Sequence, residues 1–144
     1  MSLARFLEAQ EWTYADALDE LRAGAKRTHW MWWIFPQIAG LGRSPTARAY
    51  AIRDAAEARA YLAHPVLGAR LVKAAEAMLA HEGREAAEIL GPVDAAKLRS
   101  SMTLFGAVPG APEVLGRVLD AFFGGRPDPR TLSRLGGPDP QGPP

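Results

Sequence analysis

The stretch His64–Gly83, HPVLGARLVKAAEAMLAHEG, decides the fold class. Its apolar residues Val66, Leu67, Leu71, Ala74, Ala75, Met78 and Leu79 recur at three- and four-residue spacings, the pattern of a helix that turns one face inward. Pro65 suits a first helical turn, where its missing N–H costs nothing, and Gly83 suits the stop. His64 reads as a helix-start residue and His81 as a C-terminal histidine interacting with the dipole.

The same grammar extends outward in both directions. In RDAAEARAYLAH, Asp54 can cap, Glu57 lies three residues later, and Ala58, Tyr61 and Leu62 share a face. In TYADALDELRAG, Tyr14, Leu18 and Leu21 form a stripe, Thr13 and Asp16 an approximate capping box, and Gly24 a stop. Downstream, REAAEIL is halted by Gly91-Pro92, and Asp94 is expected to cap AAKLRSSMTLF. PEVLGRVLDAFFGG presents Val114, Leu115, Val118, Leu119 and Phe122 on its apolar side, and DPRTLSRL supplies a last turn or two. Only RAYAI alternates as a strand would. These patterns predict an all-α protein: one compact domain over residues 1–135, built of several short helices in irregular or orthogonal packing. From Gly136 the chain reads GGPDPQGPP, which buries too little apolar surface to offset its ordering entropy, so residues 136–144 are expected to be a disordered tail. PQIAGLGRSP, Pro36 to Pro45, is the one long loop expected inside the domain.

Bulk properties narrow the function classes. The 144 residues contain no cysteine, so disulfides and thiolate metal sites are excluded, and a reducing cytoplasmic location is the expectation. The longest apolar run, Trp30 to Phe35, is far short of the roughly 20 residues that span a membrane. The opening MSLARFLEAQEW lacks the apolar core of a secretory signal. Seventeen basic and sixteen acidic residues leave a net charge of +1, so no global field favours nucleic acid or an anionic membrane. An anion site has to be local.

Two segments concentrate chemistry. In KRTHWMWWIFPQ, Lys26–Gln37, six apolar residues stand in a row, and a helix that is apolar all round is either enclosed by protein or lines a pocket. Aromatic stripes are usually packing, but Trp30 and Trp32 beside Lys26, His29, Gln37 and the loop residues Arg43 and Ser44 also suit a ligand with a flat ring and an anionic group. His29 is a capping histidine or a proton-transfer candidate. In DAAKLRSSMTLF, Lys97, Ser100 and Ser101 fall on one helical face, so one cation and two hydroxyls can converge, while Thr103 projects elsewhere and is a further candidate ligand-binding hydroxyl. Such hydroxyl residues are poor interior helix choices, so they are expected either to face solvent or to build a polar, phosphate-binding face. The three histidines have no metal-ligand spacing, and neither a P-loop nor a Gly-x-Ser-x-Gly elbow occurs, so no metal or cofactor is implied.

Together, RFLEAQ, the Tyr14–Ile52 segment containing HWMWWIFPQ, EARAYLAHPVLGARL, KLRSSMTLF and VLDAFFGGRPDPRTLSRL resemble the bacterial family catalogued as domain of unknown function 1810. Matching positions include Phe6, Gln10, Tyr14, Lys26, His29, Trp30, Trp32, Pro36, Gln37, Gly40, Gly42, Ser44, His64, Pro65, Gly68, Arg70, Asp94, Lys97, Ser100, Met102 and Thr103. Trp33 departs from the phenylalanine or tyrosine more usual there. The resemblance implies a small, mainly helical protein with no established activity. Some members carry the name calpastatin, but calpain-inhibiting segments are disordered and repeated, unlike this chain.

The order EAQ, Lys26, HPVLGARL, KLRSSM is also similar to the NADAR superfamily, whose members break N-glycosidic bonds in ADP-ribose-linked compounds. That resemblance implies Glu8 or Glu11 as acid/base, Trp30 or Trp32 stacking on a base, and Lys26, Arg43 and Lys97 holding phosphates. The reading is therefore a site for a nucleotide-like or other small anionic molecule, with N-glycosidic hydrolysis as an optional activity. The alternative is a protein-interaction module, homo-oligomeric or with another partner, that exposes the Trp-rich segment as an apolar patch. Nucleic-acid binding is disfavoured by the charge balance.

Overall fold

The computed structural model describes residues 2–136, so the tail expected from Gly136 lies, apart from that glycine, outside the described residues. The chain forms nine helices among the described residues: α1 (Ala4–Ala23), α2 (Met31–Ile34), α3 (Pro45–Ala49), α4 (Ala55–Ala63), α5 (Leu67–Leu79), α6 (Ala86–Leu90), α7 (Pro92–Gly106), α8 (Glu113–Phe123) and α9 (Pro129–Arg134). The all-α expectation is met. RAYAI is not a strand: its first residues end α3, and only Ile52 pairs, in a single parallel bridge with Ile38. That bridge is closed by Ala39 N–H to Ile52 O and Ile52 N–H to Gln37 O, both 2.8 Å.

Helix α5 is the centre. It packs against α1, α4 and α8, while α7 packs against α4, α6, α8 and α9. Leu67, Leu71, Ala74, Ala75 and Met78 are buried as their spacing predicts, whereas Val66 is exposed because it precedes the first helical turn. His64 Nδ1 accepts the N–H groups of Val66 and Leu67, 3.1 and 3.3 Å, confirming its place at the helix start. Gly68 is there for space: a Cβ on it would lie 2.2 Å from Leu62 O, so the α4–α5 turn closes only on glycine. Phe6, Tyr61 and Phe105 join α1, α4 and α7, with Tyr61 4.9 Å from Phe105 and edge-on to Phe6 at 5.2 Å.

A polar network runs through this core. Buried Gln10 donates to Trp33 O at 2.7 Å and to the Tyr61 hydroxyl at 3.0 Å, and it accepts from Arg70 Nη1 at 3.3 Å. Burial raises the Tyr61 hydroxyl well above its ordinary pKa, so it remains a neutral partner. At the other end of α1, Arg5 pairs with buried Glu57 at 3.0 Å and donates to Ala49 O and Ala51 O, which fastens the segment after α3.

Two expected helix starts are corrected. Helix α1 begins at Ala4, well before the supposed Thr13–Asp16 box. The Thr13 hydroxyl instead donates to Ala9 O within the helix and accepts from Trp33 Nε1 at 2.8 Å. Helix α7 begins with Pro92 at its first position, so Asp94 lies inside the first turn and does not cap it. Its carboxylate is used elsewhere.

Candidate functional site

The aromatic segment is held in place by a carboxylate that its own sequence does not announce. Glu20, in the last turns of α1, accepts the N–H groups of Arg27 and Thr28, the Thr28 hydroxyl and the Trp30 indole N–H, all between 2.6 and 3.0 Å. Burial by itself would raise the Glu20 pKa, but these four hydrogen bonds to the ionised form outweigh it and lower the value to about 2. The connection after Gly24 therefore folds around Glu20 and directs Trp30 inward.

Trp30, Met31, Ile34 and Phe35 are buried, and Trp32 and Trp33 are half-buried. The segment is core plug and cleft wall at once, and it presents no broad apolar face to solvent. The tryptophan that does stand in solvent is Trp12 of α1, at 82% exposure.

Lys26 and Lys97 meet on one carboxylate. Asp94 Oδ2 is 3.0 Å from Lys26 Nζ, and Oδ1 is 3.0 Å from Lys97 Nζ. Lys26 also lies over the Trp30 ring, 5.2 Å from its centroid, and Lys97 over the Trp32 ring at 3.9 Å. Four residues singled out in the sequence thus converge, and the group that joins them is the presumed cap Asp94. Burial opposes ionisation of Asp94, but both lysines bond its charged form and its pKa is lowered.

Trp32 also lines a half-enclosed cleft of about 140 Å³ with Gln37, Gly40, Gly42, Arg48 and Tyr50. The cleft lies between α2, the loop from Pro36 to Ser44, and α3. Ser44 is the cap of α3, its hydroxyl accepting Ala47 N–H at 3.1 Å, so that oxygen already has a structural duty. Arg43 is exposed beside it.

Ser100 and Ser101 do not join Lys97 as their shared helical face implied. Ser100, Ser101 and Thr103 are buried rather than solvated. Ser100 Oγ lies 3.1 Å from Asp128 Oδ2, and Thr103 Oγ1 accepts Asp128 N–H at 2.8 Å. Asp128 Oδ2 in turn accepts the Thr131 N–H and hydroxyl, so Asp128 caps α9 while α7 holds Asp128. Ser100 and Thr103 are rewarded by latching the last helix. Ser101 Oγ has no partner among the described residues.

Glu8, Glu11 and His29 are exposed, and among the described residues none bonds to Lys26, Asp94 or Lys97. His81 is a C-terminal histidine, but for a different helix: its Nε2 sits 2.9 Å from Leu21 O and 3.1 Å from Arg22 O, at the end of α1. Two features escaped sequence reasoning. Glu20 acts through a loop whose path residue spacing does not reveal. The other was countable: from Leu21 to Arg53 there is no Asp or Glu, while Arg22, Lys26, Arg27, Arg43, Arg48 and Arg53 are all basic.

The family described as "Protein of unknown function (DUF1810)" matches residues 1–135. No curated protein matches the chain. Among solved structures, the crystal structure of the conserved hypothetical protein Rv1873 from Mycobacterium tuberculosis is similar, with 45% sequence identity, a TM-score of 0.91, and coverage of 94% of this chain and 97% of that one. Neither description carries an activity, ligand or partner.

Proposed function

The chain belongs to the DUF1810 family of proteins of unknown function, and from that premise we propose that it binds a small anionic molecule in the cleft lined by Trp32. The observation that carries this reading is the position of one ring: Trp32 carries the Lys97 ammonium at 3.9 Å and also lines the cleft. A lysine pinned on an indole keeps a positive potential beside an aromatic wall, a combination that favours an anionic group attached to a flat or compact body. Gln37 and Arg48 border the same space and add donors.

Size restricts the occupant. Drug-sized ligands occupy pockets of about 300 to 1,000 Å³. The 140 Å³ cleft takes a single ring or one acidic group, so any larger molecule extends outside it. The nucleotide-like reading survives in this narrower form: one part of the ligand enters and the rest lies on the surface.

The proposal concerns binding rather than catalysis. N-glycosidic hydrolysis requires a carboxyl that can hold or take a proton near neutral pH. Asp94 and Glu20, the carboxylates anchored to the aromatic segment, are both held ionised, which suits ion pairing.

Calorimetric titration of ADP-ribose, NAD and inorganic phosphate into the protein and its Trp32→Phe and Lys97→Met variants tests the reading. Saturable binding of at least one probe that is weakened in both variants supports it. Equal binding by all three proteins, or no binding to any probe at millimolar concentration, removes the Trp32 cleft as the site.

A further inference from the structure

Two arginines of α9 converge on the backbone of the Gly40–Gly42 turn, whose glycines line the Trp32 cleft. Arg130 Nη2 lies 3.3 Å from Leu41 O, and Arg134 Nη2 lies 3.4 Å from Gly40 O. They stand four residues apart on α9 and therefore share a face. Gly40 has φ +99°, and a Cβ there would lie 2.6 Å from Arg134 Cζ, so this guanidinium lies directly against the glycine backbone. Between the turn and the helix is an open cleft of about 330 Å³ lined by Leu41, Pro129, Arg130, Ser133 and Arg134.

Both guanidinium groups are exposed, and neither is paired with a carboxylate among the described residues. Asp128, two residues before Arg130, is occupied with Ser100 and Thr131. Each arginine spends one long bond on a carbonyl and keeps other N–H donors in a planar fork. Two such forks beside the Ser133 hydroxyl, facing a loop from an acid-free segment, form a receptor for the tetrahedral oxygens of phosphate.

We propose that this cleft is a phosphate-binding subsite and that the ligand class is a small molecule carrying a diphosphate. Its compact end enters the Trp32 cleft and its diphosphate crosses the glycine turn to Arg130 and Arg134. The placement deepens the reading of the Trp32 cleft and rests on it for the compact end. Gly40 lines the Trp32 cleft and contacts Arg134, so the turn is the shared ridge between the two sites. An occupant of both is larger than the 140 Å³ cleft alone admits.

Titration of inorganic pyrophosphate and of ADP-ribose into the protein, Trp32→Phe, Arg130→Gln/Arg134→Gln and Arg130→Lys/Arg134→Lys separates the two claims. Pyrophosphate is expected to bind the parent and Trp32→Phe alike, and about tenfold or more weakly to the glutamine double variant. The lysine double variant keeps the charge but loses the fork, so it is expected to bind between the two. ADP-ribose is expected to be weakened by Trp32→Phe and by the arginine changes. Pyrophosphate binding that ignores both arginine variants, with their thermal unfolding unchanged, overturns the subsite, as does failure of pyrophosphate to bind the parent. ADP-ribose binding that depends on Trp32 alone also overturns it while leaving the Trp32 cleft standing. Arginine-dependent pyrophosphate binding with no Trp32 effect on ADP-ribose upholds the phosphate contacts and overturns the bridging placement.

Discussion

The Lys97 ammonium lies 3.9 Å from the centroid of the Trp32 ring, joining α7 to the aromatic segment. Its position is set on the other side by Asp94, one helical turn earlier, which also receives Lys26. Two cations share one carboxylate, and all three are largely withdrawn from water.

This arrangement makes the partners unequal. Asp94→Asn leaves two ammonium groups facing each other without a counter-charge, and is expected to lower stability by about 3 kcal/mol. Lys97→Met keeps a flexible apolar chain on the Trp32 ring and leaves Lys26 to satisfy Asp94, so a loss of about 1 kcal/mol or less is expected. Urea unfolding midpoints check the order. Equal losses would show that Asp94 has no bridging role.

Glu20 and Asp94 predict an acid limit. Each has a folded pKa below its unfolded value, so its stabilisation is complete above the unfolded pKa and disappears as pH falls through the folded one. For Glu20 that window runs from the ordinary value of 4.5 down to about 2. Thermal unfolding of the parent should fall steeply across this range. Glu20→Gln should be less stable at neutral pH, with a shallower fall, and parallel profiles would exclude Glu20 as the anchor of the Arg27–Trp30 connection.

The neighbouring hydroxyls of α7 are expected to respond in opposite directions. Ser101→Ala removes a buried hydroxyl that has no partner among the described residues, so stability is expected to hold or rise. Thr103→Val deprives the Asp128 N–H of its acceptor and loosens the cap of α9, at a cost of about 1 to 2 kcal/mol. Differential scanning calorimetry of the two variants checks this, and a stabilised Thr103→Val would contradict the latch.

Gly68→Ala inverts the usual helix preference. Alanine ordinarily improves on glycine in a helix interior by about 1 kcal/mol. Here the added methyl meets Leu62 O at 2.2 Å, so the α4–α5 turn has to open and a net loss is expected. A higher melting temperature for this variant would show that the close approach is easily relaxed.

The helices legible in sequence are those whose ends carry local chemistry. Asp54 caps α4, Gly24 closes α1 with φ 71°, and Pro129 follows the Asp128 cap of α9. The start of α1 was hidden because Leu3 offers no side-chain cap, while Thr13 imitates one. A mid-helix threonine bonding back four residues has the same local sequence as a capping threonine, and only the distant Trp33 indole distinguishes them. Asp94 misled for a related reason. It stands where a cap could, but Pro92 had already opened the helix, and the carboxylate answers a lysine 68 positions away. For the candidate site, residue types were legible and pairings were not: Lys26, Lys97, Trp30 and Trp32 do meet, whereas Ser100 and Thr103 turn to Asp128.

The most direct test of the account follows the four indole N–H resonances by two-dimensional NMR while ADP-ribose is added, with Trp32→Phe identifying the Trp32 signal. Trp32 is expected to shift saturably. Trp30 and Trp33, whose indoles are bonded to Glu20 and Thr13, and solvent-exposed Trp12 should stay in place. A saturable shift at Trp12 with Trp32 unmoved would contradict the Trp32 site.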